Sequence, residues 1–123
     1  MIDLGEEGEK IAEEFLRRKG FVPVARRFRS RRWGEIDLIM RDGDTTVFVE
    51  VKTRCGSGGL FGGPLGAINR QKIRALKRTA QFYMTSKGFN WEAVRIDAVS
   101  VILQPGGTAE VKHYTDITAG MLE

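Results

Sequence analysis

Hydrophobic residues recur first at helical spacing and then at strand spacing along the N-terminal part of the chain. A helix is predicted over residues 5–19, with an apolar stripe formed by Ile11, Ala12, Phe15 and Leu16. Gly20 follows as a stop signal. Residues 21–28 have the pattern of a strand, and Pro23 predicts an edge strand or a position near the strand's start, because proline cannot donate to a neighbouring strand.

Two strands of alternating polarity are predicted next, over residues 34–40 and 46–54. Asp42, Gly43 and Asp44 lie between them, and an Asp-Gly pair supplies the positive backbone angles of a tight hairpin turn. If the loop has two or four residues, paired positions sum to an odd number. The hairpin therefore predicts which side chains of the two strands share a face.

The second half of the chain alternates between a loop, a helix and two strands. Residues 55–66 contain six glycines and one proline, which predicts a mobile loop that is poorly ordered without nucleic acid. A helix is predicted over residues 69–87, with an apolar stripe formed by Ile73, Leu76, Ala80, Tyr83 and Met84. Residues 94–103 are apolar on both faces, as in a doubly covered strand, and residues 108–114 predict a final edge strand. The predicted fold class is α/β, in the order α-β-β-β-α-β-β, with a mixed sheet of about five strands flanked by helices.

Length and composition indicate one globular domain over residues 1–123. The 123 residues are 41% hydrophobic and 29% charged, which suffices for one core and excludes a disordered chain. No apolar run approaches the roughly 18 residues of a membrane span, and the acidic N-terminus has no apolar signal segment. A single cysteine, Cys55, and a single histidine, His113, exclude an intramolecular disulfide and a Cys/His zinc site. A cytoplasmic location is therefore expected, with chemistry based on carboxylates and lysines.

Positive charge is concentrated in two short stretches, residues 26–32 and 70–78, although the net charge is only +4. On the second predicted helix Arg70, Arg74 and Lys77 form one basic stripe. Such a stripe is typical of a surface that follows a nucleic-acid backbone, and it is equally common on a solvated face. The candidate nucleic-acid contacts are Arg27, Arg29, Arg54, Arg70, Lys72, Arg74 and Lys77, with Trp33 and Phe61 as candidates for stacking on bases.

Charged residues interrupt the two aliphatic strands of the hairpin. The register puts Glu35 and Asp37 on the same face as Glu50 and Lys52, with facing Cβ atoms about 5 Å apart. The opposite face is then formed by Ile36, Leu38, Met40, Val47, Val49 and Val51. Carboxylates this close repel unless a cation neutralises them, and carboxylate oxygens suit Mg²⁺ or Mn²⁺. A metal site is expected; an exposed face crossed by ordinary salt bridges is the alternative.

Glu9 is the carboxylate of the first helix that is expected to lean over this face of the sheet. On a helical wheel it lies beside Leu16, at the margin of the apolar arc. The remaining acidic side chains of this helix are expected farther toward solvent: Glu6, Glu7, Glu13 and Glu14. An ordinary boundary glutamate is the alternative interpretation of Glu9.

These residues resemble the D…(D/E)-x-K signature of the PD-(D/E)xK nuclease superfamily. Asp37 stands at the aspartate, Glu50-Val51-Lys52 at the ExK segment and Glu9 at the glutamate of the first helix. Ile36 replaces the usual proline before the aspartate, as in several branches of that superfamily. Over nearly the whole chain the sequence is similar to the YraN family of small bacterial proteins. The matching segments are Gly8-Glu9…Ala12, 26–29 (RRFR), 34–39 (GEIDLI), 48–54 (FVEVKTR), Lys72, Ala80 and 95–97 (RID).

The resemblance implies a restriction-endonuclease-like three-layer fold and a relation to archaeal Holliday junction resolvases. It implies an endonuclease that uses Mg²⁺ or Mn²⁺ to hydrolyse phosphodiester bonds in DNA. Asp37, Glu50 and Glu9 would then hold metal, while Lys52 would position water or stabilise the developing charge. Glu35 is expected as a supporting residue at the rim. Asp97 on the buried strand is a candidate supporting residue, with a structural role as the more common alternative for such a position.

The expected partner is DNA, branched or duplex, with RNA as a further candidate, no membrane, and a homodimer to suit a symmetric junction. Two other functions stay open at this point. One is a nucleic-acid-binding module that keeps the fold without catalysis. The other is an interaction domain of a DNA-processing complex, whose affinity for plain duplex DNA would not fall steeply with salt.

Overall fold

The computed structural model describes residues 3–56, 68–88 and 93–118. The described residues form helices and strands in the predicted order. The elements are α1 (Leu4–Arg18), β1 (Val22–Ser30), β2 (Gly34–Asp42), β3 (Thr45–Cys55), α2 (Arg70–Lys87), β4 (Val94–Leu103) and β5 (Ala109–Tyr114). The predicted glycine-rich loop beyond Gly56, and Phe61 within it, lie outside the described residues.

A single mixed sheet arranges the strands in the order β1-β2-β3-β4-β5. β3 and β4 are parallel and joined by α2, whereas the other neighbouring strands are antiparallel. The β2–β3 hairpin turns at Gly43, which has a φ of 62°, and its pairs, from Asp42–Thr45 to Leu38–Val49, sum to odd numbers as predicted. Pro23 lies on the edge strand β1, and β4 lies inside the sheet, both as predicted.

The helices cover opposite faces of the sheet, which gives the three-layer, restriction-endonuclease-like arrangement that was predicted. α1 packs through Ala12 and Leu16 on a cluster that includes Leu38, Val49 and Val99. α2 packs on the other face, in a second cluster formed by Ile36, Ile39, Phe48, Leu76, Ala80, Tyr83, Met84 and Ile96. Asn69 caps α2 by accepting a hydrogen bond from the Lys72 N–H at 2.9 Å. Neither described helix is both long and apolar enough to cross a bilayer.

Two sequence predictions about the face that a residue occupies are wrong at contacts with β1. Ile36 does not share a face with Leu38, because it packs in the cluster beneath α2. Its partner on β1, Phe28, packs against the same cluster. Immediately before Phe28, Arg27 has a φ of 52°, a conformation that non-glycine residues adopt rarely. The alternation of faces is thus broken on β1 at Arg27 and on β2 between Ile36 and Leu38, so strand periodicity alone gives the wrong face for Ile36.

The second error concerns Glu13, which is buried with 6% of its surface exposed rather than directed to solvent. The buried arc of α1 is centred nearer to Ala12 and Leu16 than the wheel predicts. Arg26 donates to Glu13, with Nη2 at 2.7 Å from Oε2, and these hydrogen bonds hold the pKa of Glu13 below its usual range. A carboxylate can be buried here because a guanidinium from β1 neutralises it.

Candidate active site

The predicted metal-binding residues lie where β2 and β3 separate. The last pair of this ladder is Leu38–Val49. One residue before Leu38 on β2, the Asp37 carboxylate reaches across to β3, where its Oδ2 accepts a hydrogen bond from the Val51 N–H at 2.8 Å. A side-chain acceptor thus satisfies a backbone donor beyond the end of the β2–β3 pairs. This bond holds Asp37 at the gap between the strands.

Glu50 lies on the face of β3 that α2 covers, and two lysines neutralise it. Its side chain is 5% exposed, and Oε2 lies 3.3 Å from the Lys52 Nζ and 3.4 Å from the Lys72 Nζ. Val49 and Val51, its neighbours on β3, pack toward α1. The predicted proximity of Glu50 and Lys52 is therefore present, with a further lysine from α2.

Asp37 has an unusual charge environment. Burial, followed by the negative charge of Glu50, raises its pKa from 3.8 to about 7. The Val51 N–H opposes this rise, whereas the charges of Glu9 and Glu35 add to it. All three predicted neighbours thus act on Asp37, which would be only partly ionised at neutral pH. Such an energetically unfavourable carboxylate is typical of a site that a cation completes.

Glu9 approaches Asp37 from the α1 layer, not from above the Glu50 face as predicted. Gly8 allows this approach, because a Cβ there would lie 1.8 Å from the Thr53 Oγ1 on β3. The Glu9 side chain is 18% exposed, and its Oε1 accepts a hydrogen bond from the Arg27 Nε at 3.0 Å. Arg27 also lies 3.5 Å from Glu6. The carboxylates therefore approach the gap between β2 and β3 from both sides of the sheet, Glu9 from the side of α1 and Glu50 from the side of α2.

Glu35 and Asp97, the predicted supporting residues, have different surroundings. Glu35 accepts a hydrogen bond from Arg29 at 2.8 Å, and its charge acts on Asp37, which fits a position at the rim.

Asp97 is fully buried on β4 and binds Arg95, the His113 Nε2 at 2.8 Å and the Asp116 N–H at 2.9 Å. None of its hydrogen-bond partners is a predicted metal ligand or Lys52, so Asp97 belongs to a separate buried polar network.

The predicted nucleic-acid contacts divide between two sides of α2. Arg70 and Arg74 are exposed and Lys77 is partly exposed on the outer side. At 3.6 residues per turn, Lys72 lies about 160° around the helix from Arg70 and Arg74, and it points to Glu50. Lys72 lies about 40° from Leu76, a residue of the predicted apolar stripe, and this was the signal in the sequence for its inward position. Lys72 is therefore part of the candidate site, whereas the sequence analysis had assigned it only to the nucleic-acid contacts.

The arginines of the sheet differ in their pairing. Arg27 and Arg29 bind Glu9 and Glu35 respectively, so neither guanidinium is free of an acidic partner. Arg54 follows Lys52 by two residues on β3, and its Nε is buried without a hydrogen-bond partner among the described residues. A nucleic acid would have to compete with carboxylates for Arg27 and Arg29.

A single divalent ion fits the carboxylates that the structure brings together. Among residues 3–56, 68–88 and 93–118, no three carboxylate, imidazole or thiol groups converge closely enough to hold an ion jointly. Mg²⁺ needs only one or two protein carboxylates, since water and substrate phosphate complete its shell. Asp37 and Glu50 meet that requirement, and their mutual repulsion favours a cation between them. Glu9 is held by Arg27 and would act on such an ion from farther away.

The chain is similar to proteins of one bacterial family over most of its length. Residues 8–101 match the family described as "Uncharacterised protein family UPF0102". A UPF0102 protein of Nocardia farcinica is 44% identical over 110 residues, covering 89% of this chain and 84% of that protein. UPF0102 proteins of Persephonella marina and Mycolicibacterium smegmatis are 41% and 38% identical, covering 80% and 94% of this chain and 82% and 92% of their own. The chain therefore belongs to the UPF0102 family, the YraN family that its motifs indicated.

Proposed function

We propose that this protein is a cytoplasmic, divalent-metal-dependent endonuclease that hydrolyses phosphodiester bonds in DNA, including branched DNA. The observation that carries the proposal is the Asp37 carboxylate, held by the Val51 N–H beside Glu50, with its pKa raised to about 7. Two nearby carboxylates with lysines beside them match the requirements of metal-assisted phosphate hydrolysis. A homodimer would present two such sites to a symmetric junction.

Each side chain has a separate task in this mechanism. Asp37 and Glu50 would hold Mg²⁺ or Mn²⁺, which supplies charge to polarise the phosphate and to lower the pKa of water. Water would attack phosphorus and lose a proton to solvent while the bond from phosphorus to the leaving oxygen breaks, and that oxygen would take up a proton from solvent. Negative charge grows on the non-bridging phosphate oxygens during this step. The Lys52 ammonium, 3.3 Å from the Glu50 Oε2, is positioned to orient that water or to stabilise the growing charge.

Lys72 is the residue whose partner would change. It is 3.4 Å from the same Glu50 oxygen that a cation would need. An ion at Glu50 would repel this ammonium, which would then be available for a phosphate of the substrate. Lys72 would thus move from the carboxylate to the DNA as the site fills.

One observation favours a second function, a DNA-binding module without catalysis. Two lysines already neutralise Glu50, and Arg27 neutralises Glu9, so part of the cluster is stable without an ion. Such a module would bind DNA equally well with and without metal. Asp37 argues against it, since its hydrogen bond to Val51 does not compensate its charge.

The decisive experiment compares cleavage against Mn²⁺ concentration with metal-free DNA binding against salt. The substrates are duplex, flapped, branched and single-stranded DNA, with RNA alongside. Asp37→Asn should lose cleavage while metal-free DNA binding holds or tightens slightly, because repulsion of phosphate falls. Asp44→Asn, in the exposed hairpin turn, is the matched control and should cleave like wild type.

A double substitution of Arg74 and Lys77 to alanine tests the binding surface separately. It should weaken binding similarly across sequences and flatten the salt slope by up to about two counterions. If wild type cleaves none of these substrates and binds DNA equally with and without Mn²⁺, the catalytic proposal is wrong and the binding module replaces it.

A further inference from the structure

A second surface feature lies along α2, away from the carboxylates. A groove of about 410 Å³ separates the C-terminal half of α2 from the turn between β1 and β2. Its lining residues are Trp33, Arg78, Gln81, Phe82 and Thr85. None of them is acidic, and none belongs to the proposed catalytic set. The groove therefore combines aromatic, amide and guanidinium groups without a negative charge.

The aromatic residues of this groove are arranged in two different ways. The Trp33 ring carries the guanidinium of Arg78 at 4.6 Å and that of Arg32 at 5.0 Å from its centroid. Phe82 is 49% exposed, which is unusual for a large apolar side chain on a helix packed against a sheet. Its ring lies 6.1 Å from that of Phe28 at an interplanar angle of 33°. An open phenyl ring thus lines the same groove as Trp33 and the Arg78 guanidinium that stacks on it.

Of the groove residues on α2, Phe82 lies nearest to the proposed active site around the helix, whereas Arg78 and Gln81 lie farther toward its outer side. Lys72, which reaches Glu50, and Phe82 are ten residues apart and lie within about 80° of each other around the helix. At 1.5 Å per residue they are about 15 Å apart along its axis. This distance corresponds to about four nucleotides of one B-DNA strand. One strand of a nucleic acid could therefore reach the active site and the groove together.

We propose that this groove binds one unpaired nucleobase of a DNA substrate, about four nucleotides from the bond to be cleaved. The base stacks on Phe82, the Gln81 amide is available to its hydrogen-bonding edge, and Arg78 and Arg32 neutralise the neighbouring phosphates. Charge complementarity excludes a basic segment from this cationic groove, and the exposed Phe82 ring favours a stacking nucleobase with its phosphates over an acidic peptide. The inference rests on the proposed nuclease function and narrows its substrate to DNA with an extruded or bulged nucleotide.

The test measures metal-free binding of the full chain to two labelled DNA probes at one salt concentration. One probe is a plain duplex, and the other is the same duplex with one unpaired 2-aminopurine. Wild type should bind the bulged probe about 5- to 150-fold more tightly, the effect of one base stacked on an aromatic ring. The 2-aminopurine fluorescence should fall on binding as the base stacks.

Three variants test whether the Phe82 ring is responsible for this preference. Phe82→Leu retains an apolar side chain but removes the aromatic face, so the preference should disappear while duplex binding is unchanged. Phe82→Trp retains a stacking face and should retain the preference. Val24→Ala changes a comparably exposed apolar residue on β1, 43% exposed, and should bind both probes like wild type.

Two results would overturn the inference while leaving the proposed function intact. Equal binding of both probes by wild type that still cleaves with Mn²⁺ would show that no unpaired base is recognised. A preference that survives Phe82→Leu would place the recognition elsewhere. Failure of wild type to bind either probe, together with no cleavage, would overturn both the inference and the proposed function.

Discussion

The Asp37 Oδ2 lies 2.8 Å from the backbone nitrogen of Val51, two residues beyond the last β2–β3 pair at Val49. This single bond fixes a carboxylate from β2 against β3 at the point where regular pairing ends. It also explains why Asp37 is desolvated and close enough to Glu50 for its pKa to rise to about 7. The candidate active site is therefore a consequence of how the two strands separate.

The stability of the protein should depend on pH through Asp37. Its pKa is about 7 in the folded chain against 3.8 normally, so between these values the folded state holds more protons than the unfolded state. The free energy of unfolding should therefore fall as pH rises from about 4 to about 7, by up to about 4 kcal/mol. Asp37→Asn removes this titration and should be more stable than wild type at pH 8 but not at pH 4.

Urea unfolding at several pH values measures this difference. Mn²⁺ should then stabilise wild type at pH 8 and leave Asp37→Asn unchanged, because a ligand stabilises only the state that binds it. A stability difference between the two proteins that stays constant with pH would contradict the assigned environment of Asp37.

Replacing each lysine beside Glu50 in turn should separate the role in cleavage from the effect on metal affinity. Lys52→Met and Lys72→Met both remove an ammonium within 3.4 Å of the Glu50 Oε2, so each should raise Mn²⁺ affinity about tenfold. Only Lys52→Met should abolish cleavage at saturating Mn²⁺ and DNA. Titration calorimetry and single-turnover cleavage measure the two effects, with Lys112→Met on β5 as the control. Loss of cleavage in Lys72→Met alone would reverse the two assignments.

Gly8→Ala should destabilise the protein by about 1–3 kcal/mol through overpacking. The added methyl would lie 1.8 Å from the Thr53 Oγ1, and α1 would have to move away from β3. Gly5→Ala is the matched control on the same helix, because its methyl would lie 3.3 Å from the Asp3 Oδ1 and meet no β3 side chain. Thermal unfolding of both variants measures the difference. Equal stabilities would show that α1 does not need this close approach to carry Glu9.

Asp97→Ala should destabilise the fold by about 3–5 kcal/mol without a specific effect on metal binding. Burial raises the pKa of Asp97, but hydrogen bonds from His113, Arg95 and the Asp116 backbone outweigh it and hold the pKa below its usual value. Its ionised form therefore stabilises the fold above about pH 4, and this contribution is lost at lower pH. Urea unfolding at pH 7 measures the loss. Normal stability combined with lost Mn²⁺ binding would instead show that Asp97 belongs to the metal site.

The helices and strands could be predicted from the sequence because local periodicity and turn chemistry determine them. The Asp42-Gly43 turn sets the hairpin register, and the doubly apolar pattern of β4 identifies an interior strand. That register predicts Asp37 opposite Glu50, although pairing stops one residue earlier and a side-chain bond to the Val51 N–H holds Asp37 there. These predictions need no knowledge of the tertiary structure.

The remaining features depend on contacts between distant residues. Glu13 is buried only because Arg26, thirteen residues away, donates to it. Ile36 lies beneath α2 together with its β1 partner Phe28, which follows Arg27, a non-glycine residue with a positive φ. Glu9 acts on Asp37 from the α1 layer because Gly8 meets Thr53 closely. Periodicity assumes unbroken strands and independent elements, and these three features violate that assumption.

The central claim is that Asp37 and Glu50 bind one divalent ion together. Crystals of the wild-type protein soaked with Mn²⁺ at pH 8 test it directly by anomalous scattering. The account predicts one peak within about 2.0–2.3 Å of a carboxylate oxygen from both residues, with the Lys72 ammonium displaced from Glu50. Asp37→Asn crystals treated identically should show no peak. An empty gap in the wild type, with Lys72 still bound to Glu50, would contradict the claim.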